Sequence, residues 1–166
     1  MKTSNNPELY EKLVKVSYLI TKPFCYHCYN IVTTSHCPNC HTDDFMRHLE
    51  GEGVEYGVDW VIDHILDNHF SIVNDQESYD QWLEEIYPDP VMVCGYEMDP
   101  IRILKEMDPV TYRCGKSDYE SFLADDPDNY FTIDDTNYYS AWEIEKWCDD
   151  KITELGTEEE EEEEEA

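Results

Sequence analysis

The stretch Cys25-Tyr26-His27-Cys28-Tyr29-Asn30-Ile31-Val32-Thr33-Thr34-Ser35-His36-Cys37-Pro38-Asn39-Cys40 carries two C-x-x-C pairs with eight residues between them. Each pair lets two thiolates from one tight turn reach the same ion, and two such turns close a sulfur tetrahedron around Zn²⁺. Cys25, Cys28, Cys37 and Cys40 are therefore the expected ligands of one structural zinc. Four thiolates leave no coordination position for substrate, so the quartet predicts a fold element and names no reaction. The β-branched residues between the pairs suit a short strand within Asn30–Ser35.

Residues 24–46 resemble a short zinc ribbon. Cys37-Pro38-Asn39-Cys40 also resembles the second knuckle of rubredoxin-type iron sites. In that family a glycine follows each knuckle and the pairs lie much further apart; here Tyr29 and His41 follow, which favours zinc over iron. His27, His36 and His41 read as surface side chains or donors to the thiolates.

Working outward, Asn6-Pro7 reads as a helix N-cap and first-turn proline, with Leu9, Leu13, Val16 and Ile20 on one face. Gly51, Gly53 and Gly57 mark a flexible connection. Val58, Val61, Ile62, Ile65, Leu66 and His69 then share a helical stripe, with Asp59, Asp63 and Asp67 on the other face. His64 and His69 read as core histidines. Asn74 with Glu77 predicts a capping box for a helix that turns Tyr79, Trp82, Leu83 and Ile86 inward and Asp80, Glu84 and Glu85 outward. Val91–Cys94 reads as a buried strand. Asp99-Pro100 and Asp108-Pro109 predict two short helices, the second stopped by Gly115, with Ser117 and Glu120 opening a further turn. Tyr130–Ile133 reads as a strand. Ser140 with Glu143 starts a last helix capped by Gly156. Cys94, Cys114 and Cys148 read as buried, inert thiols.

The expected fold is α+β, in three parts. Residues 1–50 form a helix plus the zinc module, residues 51–157 a mostly helical acidic domain with a few short strands, and residues 158–166 a disordered poly-Glu tail. A hydrophobic fraction of 40% and an aromatic fraction of 13% supply a core that disordered acidic chains lack. An odd cysteine count, a metal-type pairing and no evident secretory signal or membrane span fit the cytoplasm.

Charge carries the functional reading. Residues 1–50 hold five acidic and five basic side chains, whereas residues 51–157 hold 27 acidic and six basic. Eight more glutamates follow at Glu158–Glu165, and the chain reaches a net −29. Such self-repulsion opposes folding and implies a compensating use, most simply a strongly basic partner protein. Direct nucleic-acid binding by the acidic part is electrostatically opposed. Only the neutral cysteine module, with Lys22 and Arg47 beside it, is free of that barrier.

The expected function is binding to a basic, nucleic-acid-binding surface by polyanion mimicry, inhibiting or modulating its owner. Asp59, Asp63, Asp67, Asp80, Glu84 and Glu85 are the expected contacts. A zinc-ribbon accessory subunit of a transcription or replication assembly is the alternative. A metal-dependent enzyme using the loop Asp125, Asp126, Asp128, Asn129, Asp134 and Asp135 ranks third, because no catalytic constellation supports it; the loop also lacks the spacing and glycine of a calcium hand. The stretch Asp99–Pro109 with Tyr112-Arg113-Cys114-Gly115 and Asp118-Tyr119 resembles segments of small phage or plasmid proteins of unassigned function. That resemblance implies a mobile-element protein in a host cytoplasm and no catalytic residue.

Overall fold

The structure is a computed structural model that describes residues 4–164, with side chains described through residue 156. It is an α+β arrangement of helices with small antiparallel sheets. Helix α1 (Pro7–Ile20) begins as its sequence implies: the Asn6 side chain accepts the Leu9 N–H at 3.1 Å, and proline occupies a turn whose N–H needs no partner. Leu9, Leu13 and Val16 are buried. Ser17 shares their stripe and donates its hydroxyl to the Leu13 carbonyl at 2.8 Å.

Strands β1 (Lys22–Cys25), β2 (Asn30–Ile31), β3 (Met46–Leu49) and β4 (Gly53–Glu55) form an antiparallel sheet in the order β2-β1-β3-β4. The strand expected within Asn30–Ser35 is cut to two residues, because Val32 turns its side chain into the cysteine cluster. Gly51 and Gly53 belong to the β3–β4 hairpin, where His48 pairs with Val54, and not to a flexible connection. The boundary expected between residues 50 and 51 falls inside that hairpin.

Arg47 joins this sheet to α1. A helix C-terminus leaves carbonyls without partners. The Arg47 guanidinium takes two, donating to the Tyr18 carbonyl at 2.8 Å and the Thr21 carbonyl at 2.6 Å, while its Nε donates to Thr21 Oγ1 at 2.9 Å. The same group lies 4.9 Å from the Tyr18 ring centroid. Arg47 is thus engaged internally and is not the free cation beside the module that a nucleic-acid contact would use.

Helices α2 (Asp59–His69) and α6 (Ala141–Glu164) close the main core against α1. Val61, Ile62 and Ile65 of α2 meet Leu13 and Val16 of α1 and Ile144 and Cys148 of α6. Residues on both sides of position 50 therefore share one core. Each such side chain contributes about 1.5–3 kcal/mol through burial. Strands β7 (Tyr130–Phe131) and β8 (Tyr139–Ser140) pair beneath α6, and Ser140 Oγ accepts the Glu143 N–H at 3.4 Å as the capping box predicts. The backbone of α6 continues to Glu164, so Gly156 lies within the helix and does not cap it. Of the expected tail, residues 165–166 lie outside the described residues.

A second core, around Tyr79, Leu83, Ile101, Tyr119 and Leu123, joins α3 (Gln76–Ile86), α4 (Pro100–Met107) and α5 (Pro109–Ala124). Asp99 and Asp108 cap α4 and α5 as expected, accepting the Ile101 N–H at 2.9 Å and the Thr111 N–H at 3.1 Å. Gly115 does not stop α5. The helix runs through it, and through Ser117 and Glu120, because the glycine serves a tertiary contact: a Cβ there would overlap the Tyr79 hydroxyl. Asp75, not Asn74, caps α3, accepting the Ser78 N–H at 2.7 Å. Asn74 is drawn away by a long-range bridge, donating to the Thr136 carbonyl at 2.8 Å and accepting the Tyr138 N–H at 3.0 Å.

The run Val91–Cys94 is not buried. Strand β5 (Val91–Val93) pairs with β6 (Tyr96–Met98) as a two-stranded hairpin. Cys94 and Gly95 both take positive φ, +52° and +87°, the pattern of a tight primed turn. Every residue of both strands is exposed, with Met92 at 61% and Tyr96 at 76%.

Candidate metal centre

Each C-x-x-C pair folds as a knuckle. The Tyr29 N–H closes the first by bonding the Cys25 carbonyl at 2.8 Å, and the His41 N–H closes the second on the Cys37 carbonyl at 2.9 Å. Tyr29 (φ +57°) and His41 (φ +59°) stand in the left-handed position that ends each turn, which glycine fills at least cost. The tyrosine regains contact by setting its ring edge-on to Phe24 at 5.7 Å and beside Tyr26 at 5.5 Å. The sequence departs from the glycine-terminated knuckle, yet the backbone adopts its geometry.

The four thiol sulfurs lie within 4.8 Å of one another, with Cys25 Sγ and Cys40 Sγ 3.6 Å apart. A tetrahedral ion with metal–sulfur bonds of about 2.3 Å needs edges of about 3.8 Å, so this donor set fits one metal ion. Cys25 and Cys37 are fully buried, with Val32 and Phe45 against them. Backbone N–H groups favour the thiolate on Cys37: those of Cys40 and Asn39 bring its pKa down to about 7. Cys28 is pushed up to about 12 by the Cys40 side chain and then by burial, and Cys25 is raised by burial. Four sulfurs this close cannot all ionise without a cation among them. An ion held by these four sulfurs would lock β1, β2 and the loop to β3 together.

His27, His36 and His41 are exposed around this cluster, as expected. His69 is also exposed, which corrects its reading as a core residue; it lies beside Trp147 at 5.0 Å, at the edge of the core. His64 is half-buried, 3.6 Å from Glu52. Cys148 is buried and its thiol pushed up to about 12, mainly by burial, but Cys94 and Cys114 are exposed. Cys114 lies within α5 and not before a helix start.

The six expected acidic contacts divide. Asp67, Glu84 and Glu85 are exposed. Asp59 accepts the Tyr10 hydroxyl at 2.7 Å and so ties α2 to α1. Asp63 is half-buried beside a polar hollow shared with Asp67 and Asp134. Asp80 is only 23% exposed at its side chain; it pairs with Lys105 and accepts the Tyr112 hydroxyl at 2.7 Å. It therefore joins α3 to α4 and α5 instead of facing away. Only its later partners in the chain reveal this, since its spacing matches that of Glu84.

In the acidic loop 125–135, two carboxylates serve turns: Asp126 accepts from Asn129 at 2.8 Å and Asp134 from the Thr136 N–H at 3.0 Å. Among the described residues, the cysteine quartet is the one group of three or more such side chains close enough to share an ion. No helix of the described residues is long and apolar enough to cross a membrane. No family model, curated protein or solved structure matches the chain, so the likeness of residues 99–119 to phage or plasmid segments gains no support.

Proposed function

We propose that this chain is a non-catalytic, zinc-stabilised interaction protein that docks its acidic body on a basic, nucleic-acid-binding surface of a partner protein and inhibits or modulates it as a polyanion mimic. The observation that carries the reading is uncompensated charge. Residues 51–157 hold 27 acidic side chains against six basic ones. Four of those six, Arg102, Lys105, Lys116 and Lys151, already pair with nearby carboxylates. The remaining acids repel one another until a cationic surface is presented to them. Asp67, Glu84 and Glu85 keep their place as contacts; Asp59 and Asp80 leave it. Zinc is the ion that thiolate tetrahedra of this size favour, and bound there it would supply folding energy to the sheet and no reaction. Cysteines kept as thiols for a metal suit a reducing compartment, and the cytoplasm is the one this reading assumes.

The test is capture by the immobilised full chain from an extract of its own cells, with elution by duplex DNA at constant ionic strength. Basic nucleic-acid-binding proteins should be retained, displaced by the duplex, and released as salt rises, because exposed charges are screened beyond about 8 Å at physiological ionic strength. Retained proteins that ignore both duplex and salt would end the mimicry reading.

A second reading has its own observation. Tyr26 (59% exposed) and Tyr29 (74%) stand with Ile31 on the surface of the cysteine module. They suit an accessory subunit that binds through the ribbon. It predicts binding lost with Tyr26→Ala and Tyr29→Ala and untouched by reversal of Asp67, Glu84 and Glu85 to Lys.

A further inference from the structure

The exposed hairpin and the ends of α3 and α4 surround an apolar groove. It has a volume of about 480 Å³ and is walled by Trp82, Ile86, Tyr87, Val91, Ile103 and Leu104. Such a volume suits a few apolar side chains. Ile86, Tyr87 and Val91 are 47%, 55% and 43% exposed, so the groove opens to solvent along one side. Met92, Tyr96 and Met98 extend the apolar surface along the hairpin. Monomeric proteins rarely leave contiguous apolar surface of this kind uncovered.

What surrounds the groove identifies what covers it. Residues 76–118, which build all its walls, carry ten acidic side chains and four basic ones. Three of the four, Arg102, Lys105 and Lys116, are already paired with carboxylates. Glu84, Glu85, Asp89, Glu97 and Asp99 are exposed beside the apolar lining, and Asp118 is part of the wall itself. An acidic apolar segment would meet repulsion along this rim, and a neutral one would leave the rim unused. We infer that the groove receives a short amphipathic segment of the partner whose apolar side chains enter between α3, α4 and the hairpin while flanking Lys or Arg residues meet the rim. The proposal rests on the reading of a basic partner and supplies its anchor: charge brings the surfaces together, and the groove holds them. It also makes the contact one-sided, on the second core and remote in sequence from the cysteine module.

Three synthetic peptides of about 14 residues, the length at which amphipathic helices become marginally stable, test this on the full metal-loaded chain. The first places Leu at i, i+3, i+4 and i+7 in a Lys background, the second scrambles the same composition, and the third is all Lys. Trp fluorescence reads Trp82 in the groove, with Trp82→Phe assigning the signal. The patterned peptide should bind at least about tenfold tighter than either control, and Ile86→Lys, at an exposed position, should abolish that advantage. Reversal of Asp67 to Lys on α2 should leave the advantage intact. If all three peptides bind alike and salt releases them, the groove proposal is overturned while charge-driven docking stands. If the patterned peptide binds the groove regardless of salt, the groove stands and the polyanion reading falls. Absence of binding by any peptide at low salt overturns both.

Discussion

Gly115→Ala should destabilise this protein, against the ordinary rule for a helix interior. Alanine normally stabilises a mid-helix position by about 1 kcal/mol relative to glycine. Here the new methyl would overlap the Tyr79 hydroxyl, and its next contact, Tyr79 Cζ, lies at an ordinary 3.6 Å. The ring cannot swing clear: Tyr79 is 1% exposed, held between Trp82 at 6.0 Å and Tyr112 at 5.1 Å, and its hydroxyl donates to the Tyr112 carbonyl at 3.1 Å. Overpacking of a closed core costs about 1–3 kcal/mol, so the net effect is a loss of about 0–2 kcal/mol. Tyr79→Phe alone gives up one hydrogen bond, about 1 kcal/mol. In that background the clash is gone, and Gly115→Ala should now stabilise. Urea denaturation of the four proteins of this cycle reads the coupling, expected at about 1–3 kcal/mol with a reversal of sign. A Gly115→Ala protein that is about 1 kcal/mol more stable than the parent would refute the close-approach account and leave only helix propensity.

The remaining expectations concern the metal, pH and the acidic face. Native protein should contain one tetrahedral thiolate-bound metal per chain, lost on Cys28→Ser, and cobalt substitution should give the absorption of a four-sulfur site; an iron spectrum would exclude zinc. Cap bonds from the Ser78 N–H to Asp75 and from the Thr111 hydroxyl to Asp108 hold both carboxyls below the usual range. Their stabilisation is present above the ordinary carboxylate pKa and is lost as pH falls through the depressed values. The melting temperature should therefore fall as pH drops below about 4, and Asp75→Asn with Asp108→Asn should flatten part of that fall; an unchanged pH profile in the double variant would contradict the cap account. Asp67, Glu84 and Glu85 reversed together to Lys should leave the fold intact and weaken docking, whereas Asp59→Lys, which removes the α1–α2 hydrogen bond from the Tyr10 hydroxyl, should destabilise by about 1 kcal/mol, measured by thermal denaturation.

What the sequence discloses here is what neighbours within a few residues decide. The double C-x-x-C, Asn6-Pro7, Asp99-Pro100, Asp108-Pro109 and Ser140 with Glu143 all act locally, and all appear in place. The α2 stripe is legible for the same reason. Gly115 and Asn74 mislead because their partners, Tyr79 and Tyr138, lie 36 and 64 residues away. Val91–Cys94 misleads because an apolar run specifies a strand without specifying what covers it. The β3–β4 hairpin escapes notice because its strands are four and three residues long, too short for alternation to register. Asp59 and Asp80 look identical in pattern to Asp67 and Glu84; partners on other helices, Tyr10 for Asp59 and Lys105 with Tyr112 for Asp80, separate them.

The Arg47 clasp would give a bound ion a reach beyond its own ligands. Without a metal, the loop that carries Cys37 and Cys40 into β3 loses its tether to Cys25 of β1, and the guanidinium that β3 carries is held less firmly. The carbonyls of Tyr18 and Thr21 then face solvent, and the last turn of α1 is free to fray. Amide hydrogen exchange should therefore quicken at the end of α1 together with the cysteine loops on chelation, while Leu9 and Leu13 keep their protection against α6. Metal occupancy would then be written into the slow-exchanging body of the protein as the length of a single helix.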